Sequence, residues 1–470
     1  MHLSRALARL VGAALTVLAL AGCATFSSDG GTGGVQALAR ERLGSNVTLP
    51  AKNADNAQVA AAVADLLSQP LTPDSAMQVA LLDNPGIRAS LAELGVAEAD
   101  LVQAGRLANP RFSFGNKRSI EAFSIDRTIL FNVMSLFVRP LAQEVAARQF
   151  GTAQLQAAAD VLQLARDTRR AWFSAVAAEE SVKYFEQVKL AADTGSELAT
   201  RMAKAGNFSK LTQMREQAFQ ADATARLAKA RLAALLEREQ LTRLLGITGS
   251  ELQFRLPDRL LELPKVPVDS IDTERVALDR RLDVQIAKRR TEAMAANLGL
   301  TKATRFINVL ELGYTNESDT GERRQNGYEI EVELPLFDWG DARLARAEAA
   351  YMQSVYRTAD VALTARSEVR ERYQTYRTTY DVARQFRDEI VPLRKRIAEE
   401  TLLRYNGMLI SVFELLADAR DQIASVNASI EALRDFWLAD TELEFALNGT
   451  SPGASLRTMA MPLGERDENH

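Results

Sequence analysis

The stretch Leu334-Pro335-Leu336-Phe337-Asp338-Trp339-Gly340-Asp341-Ala342-Arg343 separates two different periodicities. Before it, Tyr328-Glu329-Ile330-Glu331-Val332-Glu333-Leu334 alternates polar and apolar residues with the period of a strand. After it, a helical pattern runs without Pro or Gly until Pro392. The stretch is therefore a joint between a strand and a long helix. Pro335 lacks the N–H that a ladder needs and stops pairing. Gly340 frees the backbone for the change of direction, and Asp338 or Asp341 caps the first helical turn. Trp339 is an amphipathic ring of the kind that sits at a membrane interface. A weaker copy, Met134-Ser135-Leu136-Phe137-Val138-Arg139-Pro140, lies about 200 residues earlier.

Around the joint, the second half reads as one ordered unit. A helix is expected from Thr273 to Thr304, then strands Phe306 to Tyr314 and Tyr328 to Leu334 around a polar turn at 316–321. The long helix after the joint runs to Arg404, Tyr405-Asn406-Gly407-Met408 breaks it, and a last helix ends at Asn448-Gly449.

The first half repeats these events. Thr72-Pro73-Asp74 reads as an N-cap with Pro at the first helical position. Leu81 to Gly86 is a break, and Ile87, Leu91, Leu94, Ala97 and Leu101 recur at helical spacing until Asn109-Pro110. Arg111 to Phe114 alternates, Gly115-Asn116-Lys117 offers a short turn, and Phe123 to Arg127 alternates again, with Ile120-Glu121-Ala122 interrupting the hairpin. Pro140 opens a helix that runs to Lys204, roughly 100 Å at the helical rise. Ala205 to Ser209 is a tight break, and another helix from Lys210 closes at Leu245-Gly246. Phe137 matches Phe337, Gly206 matches Gly407 and Ile87 matches Val284 at nearly one offset, so the chain is a tandem duplication. Residues 46–246 form the first repeat, with its hairpin at 110–135. The Pro-rich residues 247–272 form an equatorial linker. Residues 273–449 form the second repeat, with its hairpin at 306–336.

Composition narrows the function. The 470 residues carry a formal charge of −4, which gives no support to nucleic-acid binding. The two His stand at positions 2 and 470, so His-based catalysis and His-rich metal sites are excluded. No phosphate-binding Gly loop, GxSxG, HExxH or Cys cluster occurs, and no enzyme or cofactor is expected. Arg166-Asp167 and Arg420-Asp421 read as surface or interhelical ion pairs.

The one cysteine has a specific setting. Arg5 and Arg9 precede an apolar run, Leu10 to Leu20, and then Leu20-Ala21-Gly22-Cys23. Residues 1–22 thus read as a signal peptide and 23–45, with a Gly-rich run at 30–34, as a lipidated N-terminus and flexible tether. Residues 450–470 read as a disordered tail. Past residue 23 no apolar run reaches 18 residues, so no membrane-spanning helix is expected.

The ordered set of Pro335-Leu336-Phe337-Asp338-Trp339-Gly340, Asn109-Pro110, the Gly206 and Gly407 tips, Leu245-Gly246 and the Cys23 lipobox resembles the TolC family of outer-membrane efflux proteins. The likeness is to the lipoprotein branch that serves resistance-nodulation-division pumps, and it spans essentially the whole mature chain. It implies a mainly α fold with a small β part: a homotrimer in which each copy gives four strands to a twelve-stranded barrel, continued by a periplasmic helical tube. It implies Cys23 as the lipid attachment site and outer-membrane sorting. Partners would be a periplasmic adaptor at the tips, an inner-membrane transporter beyond it and outer-membrane lipid. Elementary physics agrees, because four strands cannot close a barrel and an open edge is not tolerated in lipid.

Pro335, Trp339 and Gly340 form the barrel-to-tunnel joint. Glu329, Glu331 and Glu333 share one strand face, and Ile330, Val332 and Leu334 the other, as a porin-like wall requires; a soluble sheet with a charged face shows the same alternation. The tips offer Gly206, Asn207, Phe208 and Ser209, and Gly407, Met408, Leu409 and Ile410, for adaptor contact or gating. Positions where the family carries aspartates hold Phe413 and Leu416, so Glu414 and Asp418, at i and i+4, are the substitute acidic pair. The expected function is a passive conduit for substrates delivered by a pump. The alternatives are a conduit for type I protein secretion and a barrel-less periplasmic structural lipoprotein.

Overall fold

The computed structural model describes residues 25–44, 47–50, 56–118, 123–269, 272–306 and 309–451. Cys23, the signal peptide and the tail beyond Ser451 lie outside them. The first half contains α1 (Thr32–Leu43), α2 (Asn56–Leu67), α3 (Pro73–Asp83), α4 (Pro85–Ala104), β1 (Arg111–Arg118), β2 (Phe123–Asn132), α5 (Met134–Lys204) and α6 (Lys210–Leu245). The second contains α7 (Thr273–Arg280), α8 (Leu282–Ala303), β3 (Leu310–Asp319), β4 (Gln325–Val332), α9 (Asp341–Gln385), a π-helical turn (Phe386–Ile390), α10 (Val391–Asn406) and α11 (Val412–Asn448). The duplicated order of helix, hairpin, long helix, tip and helix is therefore present.

Two compact units partition these elements. One holds the segment ending at Val35 together with Ser90–Ala157 and Val284–Ala362. The other holds Gln36–Ala89, Ala158–Asp283 and the chain from Leu363 on.

The first unit contains the sheet, in the order β1-β2-β3-β4 and antiparallel throughout. The two hairpins meet through β2 and β3, so strands from both repeats share one ladder. This pairing lengthens the strands beyond their local signals. Gly115, Asn116 and Lys117, expected as a turn, pair with Asp126, Ile125 and Ser124. Residues 119–122, which include Ile120-Glu121-Ala122, lie outside the described ones. Glu317, Ser318 and Asp319, also expected in a turn, pair with Asp126, Ile125 and Ser124 on the adjoining edge. Ladder hydrogen bonds on both sides of β2 outweigh the turn preference of these polar residues.

The second unit is helical. Trp172 on α5 is fully buried and donates from Nε1 to Leu71 O at 2.9 Å. Tyr376 and Tyr380 on α9 pack around Phe436 on α11. Their hydroxyls hold the 247–272 linker: Tyr376 accepts from Val268 N, and Tyr380 donates to the carbonyls of Pro264 and Lys265. Phe185 and Val188 on α5 pack with Ala223 and Leu227 on α6. The expected single helix 273–304 is broken at Arg281, whose next residue donates from its N–H to Gly449 O at 2.9 Å. The first repeat has the same device: Asn84, between α3 and α4, donates from Nδ2 to Leu244 O at 2.9 Å. At the second break Arg281, fully buried, is held by Asp283 and Glu368 at 2.7 and 2.8 Å.

Three further expectations are corrected. Most of the proposed tether is α1, with Val35 and Ala39 buried at i and i+4 and Asp29 accepting from Gly31 and Gly33 N–H just before it. Pro140 does not open α5 but lies inside it; Asn132 Oδ1 accepts from Ser135 N and starts the helix earlier. Helix α4 ends at Ala104, ahead of Asn109-Pro110.

Candidate functional site

The sheet has two chemically distinct faces. Register places Phe112, Ile129, Tyr314 and Tyr328 in one rung, and Phe131, Leu312 and Ile330 in the next. Leu310 and Val332 add a third. Of these residues all but Leu310 stand exposed, Tyr328 at 85% and Ile330 at 69%. The Tyr314 and Tyr328 rings meet edge-on at 6.0 Å. In the rung beyond, which Phe114 begins on β1, Arg127 donates to Asn316 Oδ1 at 3.0 Å and Asn316 donates to Asn326, so polar side chains occupy β2, β3 and β4. The opposite face carries Arg111, Lys117, Asp126, Glu311, Glu317, Glu329 and Glu331. Glu311 is buried and pairs with Arg111, and Lys117 pairs with Asp126 at 3.4 Å. Glu329 and Glu331 thus fall on the charged face, and Ile330 and Val332 on the apolar one, as their alternation requires. A contiguous exposed apolar face marks a surface that meets lipid or another protein.

The joint is built from local hydrogen bonds and one close approach. Strand β4 ends at Val332, and Glu333 N donates to Val309 O at 3.4 Å before Pro335 ends the pairing. Asp338 Oδ1 accepts from Gly340 N at 2.8 Å, and Gly340 O accepts from Leu344 N as α9 starts. Asp338 therefore sets the turn, while Asp341 is the first helical residue. Gly340 has φ +70°, and a Cβ there would stand 2.7 Å from Arg305 O. Arg305 also donates from Nε to Trp339 O at 3.0 Å. Leu334, Leu336, Phe337 and Trp339 are all exposed, Phe337 at 99%. The weaker copy around Ser135 and Arg139 lies inside α5 and makes no comparable turn.

Both tips are in the second unit and share a design. At the first, Asn207 and Phe208 donate to Met202 O at 2.9 and 3.3 Å, Gly206 takes φ +81°, and Ser209 Oγ caps Thr212 N at 3.1 Å. At the second, Gly407 donates to Leu403 O and Leu409 to Arg404 O at 3.0 and 2.9 Å, and Ser411 caps Glu414 N at 3.4 Å. Met408 takes φ +56°, a conformation that side-chain-bearing residues seldom adopt. Met408 and Leu409 are exposed and Ile410 half-buried. Glu414 is exposed and Asp418 half-buried, and no ion pair of either falls among the described residues.

One residue near the tips escaped the sequence reading. Glu216 on α6 is buried, which pushes its pKa up, while Arg420 on α11 at 3.4 Å opposes the rise. Arg420 therefore pairs across helices and not with its neighbour Asp421, which takes Arg394 at 3.2 Å. Glu216 lies inside an unbroken helical pattern, so no local signal distinguishes it from a solvated glutamate. Arg166 and Asp167 do pair, at 2.8 Å.

No protein-family model matches the sequence, and no curated protein matches it. In three dimensions the chain has the TolC-like channel fold, long helices with a small antiparallel sheet, seen in outer-membrane channels. VceC, an outer membrane protein of Vibrio cholerae, matches at TM-score 0.65 and 16% identity, over 84% of this chain and 97% of VceC. The MtrE outer membrane channel of Neisseria gonorrhoeae, in its open state, matches at 0.67 and 17%, over 80% of this chain and 89% of MtrE. A membrane protein from Pseudomonas aeruginosa matches at 0.69 and 18%, over 83% and 91%. At such identities the likeness establishes the fold. Among the described residues no helix is long and apolar enough to cross a membrane.

Proposed function

We propose that this chain is the outer-membrane channel of a tripartite export system, a passive conduit for substrates that an inner-membrane pump delivers through a periplasmic adaptor. The observation that carries this reading is the two-faced sheet. Among the described residues its outer strands β1 and β4 each pair on one side alone, and its apolar face is exposed. Free edges and bare apolar side chains are both stable in a bilayer only when copies close a barrel. Three copies supply twelve strands, the apolar face meets lipid, and the acidic face with Glu311, Glu329 and Glu331 lines the lumen. Pro335, Trp339 and Gly340 turn the wall from sheet to helix. Cys23 carries the lipid anchor, and Gly206–Ser209 and Gly407–Ile410 are the ends that meet the adaptor.

Purified full-length protein reconstituted into planar bilayers is expected to run as a heat-modifiable trimer and to conduct ions. Intact trimers that neither insert nor conduct overturn the reading and leave a lipid-anchored spacer. Cross-linking from a Cys placed beside Gly206 or Gly407 identifies the adaptor, and the adaptor's own partner separates small-molecule efflux from type I protein secretion.

A further inference from the structure

A small cavity in the second unit lies where α1, α5 and α11 pack together. Arg42, Leu162, Arg166, Arg169, Phe445 and Asn448 are among its lining residues, and its volume is about 20 Å³. That is room for one water or one halide ion.

Three guanidiniums reach this cavity, and they differ in how they are neutralised. Arg166 is held by Asp167 at 2.8 Å and lies 4.4 Å from the centre of the Phe445 ring. Arg169 bridges Glu444 at 2.7 Å and Asp74 at 2.9 Å. Arg42 has no comparable partner, although its side chain is only 7% exposed. Glu41, itself solvent-exposed, is 3.6 Å away, and Asn448 Oδ1 accepts a hydrogen bond at 3.4 Å. Two buried donors, Arg42 Nε and Arg169 Nε, have no acceptor among the described residues. Burial lowers the Arg42 pKa; Glu41 opposes that and Arg280 adds to it. A buried cation without a close counter-charge is costly, and so is a buried donor without an acceptor.

We propose that the cavity binds a single halide ion, which gives Arg42 a buried counter-charge and accepts from the orphaned Nε donors. One negative charge matches the one guanidinium of the three whose nearest carboxylate, Glu41 at 3.6 Å, is solvent-exposed and beyond hydrogen-bond distance. The size of the space and the apolar walls from Leu162 and Phe445 suit an ion of low charge density better than a larger, strongly hydrated oxyanion. Because Arg42 is on α1, Arg169 on α5 and Asn448 on α11, the ion fastens the N-terminal helix to the two long ones.

The test uses the full-length protein. Crystals soaked in bromide are expected to show an anomalous peak in the cavity beside Arg42 Nε. A water there overturns the proposal, as does a carboxylate from residues 452–470 or from a second copy. In solution, replacing gluconate by bromide at constant ionic strength is expected to raise Tm saturably. Arg42→Gln is expected to abolish that rise. Ala165→Leu, which fills the cavity and keeps all three arginines, is expected to abolish it too and decides the matter if Arg42→Gln does not fold. A wild-type Tm indifferent to halide, or an Ala165→Leu variant that responds like wild type, overturns the proposal.

Discussion

Gly340→Val is the most informative single change. Gly340 sits at φ +70°, and a side chain in that region costs roughly 1–2 kcal/mol, with a β-branched one at the upper end. Its Cβ would lie 2.7 Å from Arg305 O and 3.1 Å from Arg305 Cγ, so the backbone or Arg305 must move. Either movement strains the 3.0 Å bond from Arg305 Nε to Trp339 O, and losing a charged hydrogen bond costs about 1.5–3 kcal/mol. Together these give about 2.5–5 kcal/mol per copy, placed at the turn that aims β4 and α9. Gly206→Ala provides the contrast, because Gly206 also has positive φ but a Cβ there meets nothing within 4 Å. It should cost only about 1 kcal/mol. Trimer yield on native gels and Tm of the purified protein are the readouts. Gly340→Val should lower both more than Gly206→Ala and more than any single change on the acidic strand face. Wild-type trimer yield and Tm in Gly340→Val would refute the role assigned to the joint.

Three other outcomes are expected. Ile330→Arg places a charge on the apolar face and should cost about 2–4 kcal/mol if that rung meets the bilayer midplane; membrane fractionation should show failed insertion, whereas Glu331→Gln on the other face should insert normally and reduce cation preference in reversal potentials. Burial, reinforced by Glu444 and opposed by Arg169, raises the Asp440 pKa to about 6 from 3.8. The folded state therefore binds this proton more tightly than the unfolded one, so the stability contributed is full below about pH 4 and is lost as pH rises through about 6. Asp440→Asn should thus be more stable than wild type at pH 7.5, by on the order of 2 kcal/mol, and indistinguishable from it near pH 4 in denaturant melts; an equal gain at both pH values sinks this assignment. Arg281→Met should destabilise by about 3–5 kcal/mol, because it removes the buried cation from Asp283 and Glu368; adding Glu368→Gln should recover part of the loss, and a strictly additive double mutant would show that the two do not act as a pair.

The long helices, the two hairpins, the breaks between helices and their repeated order were legible from the residues alone. These are written in short-range signals: apolar period, uninterrupted helix formers, and Gly, Pro and Ser at breaks. The alternation around Ile330 likewise fixes which side chains share a face, since a strand's period is two whatever it pairs with. Other features depend on long-range packing. Strands β1 and β3 run through turn-like residues at Gly115–Lys117 and Glu317–Asp319 because β2 pairs with both. The Gly-rich N-terminal run leads into a packed helix because Val35 and Ala39 find a buried environment. Arg420 chooses Glu216 over Asp421 because the buried carboxylate needs it more. At the joint, Pro335 and Asp338 were legible, but the need for glycine at 340 comes from Arg305, a residue 35 positions away in the chain. A local pattern specifies an element and its faces; the ends of elements and the partners of charges depend on which distant backbone or side chain competes for the same hydrogen bonds.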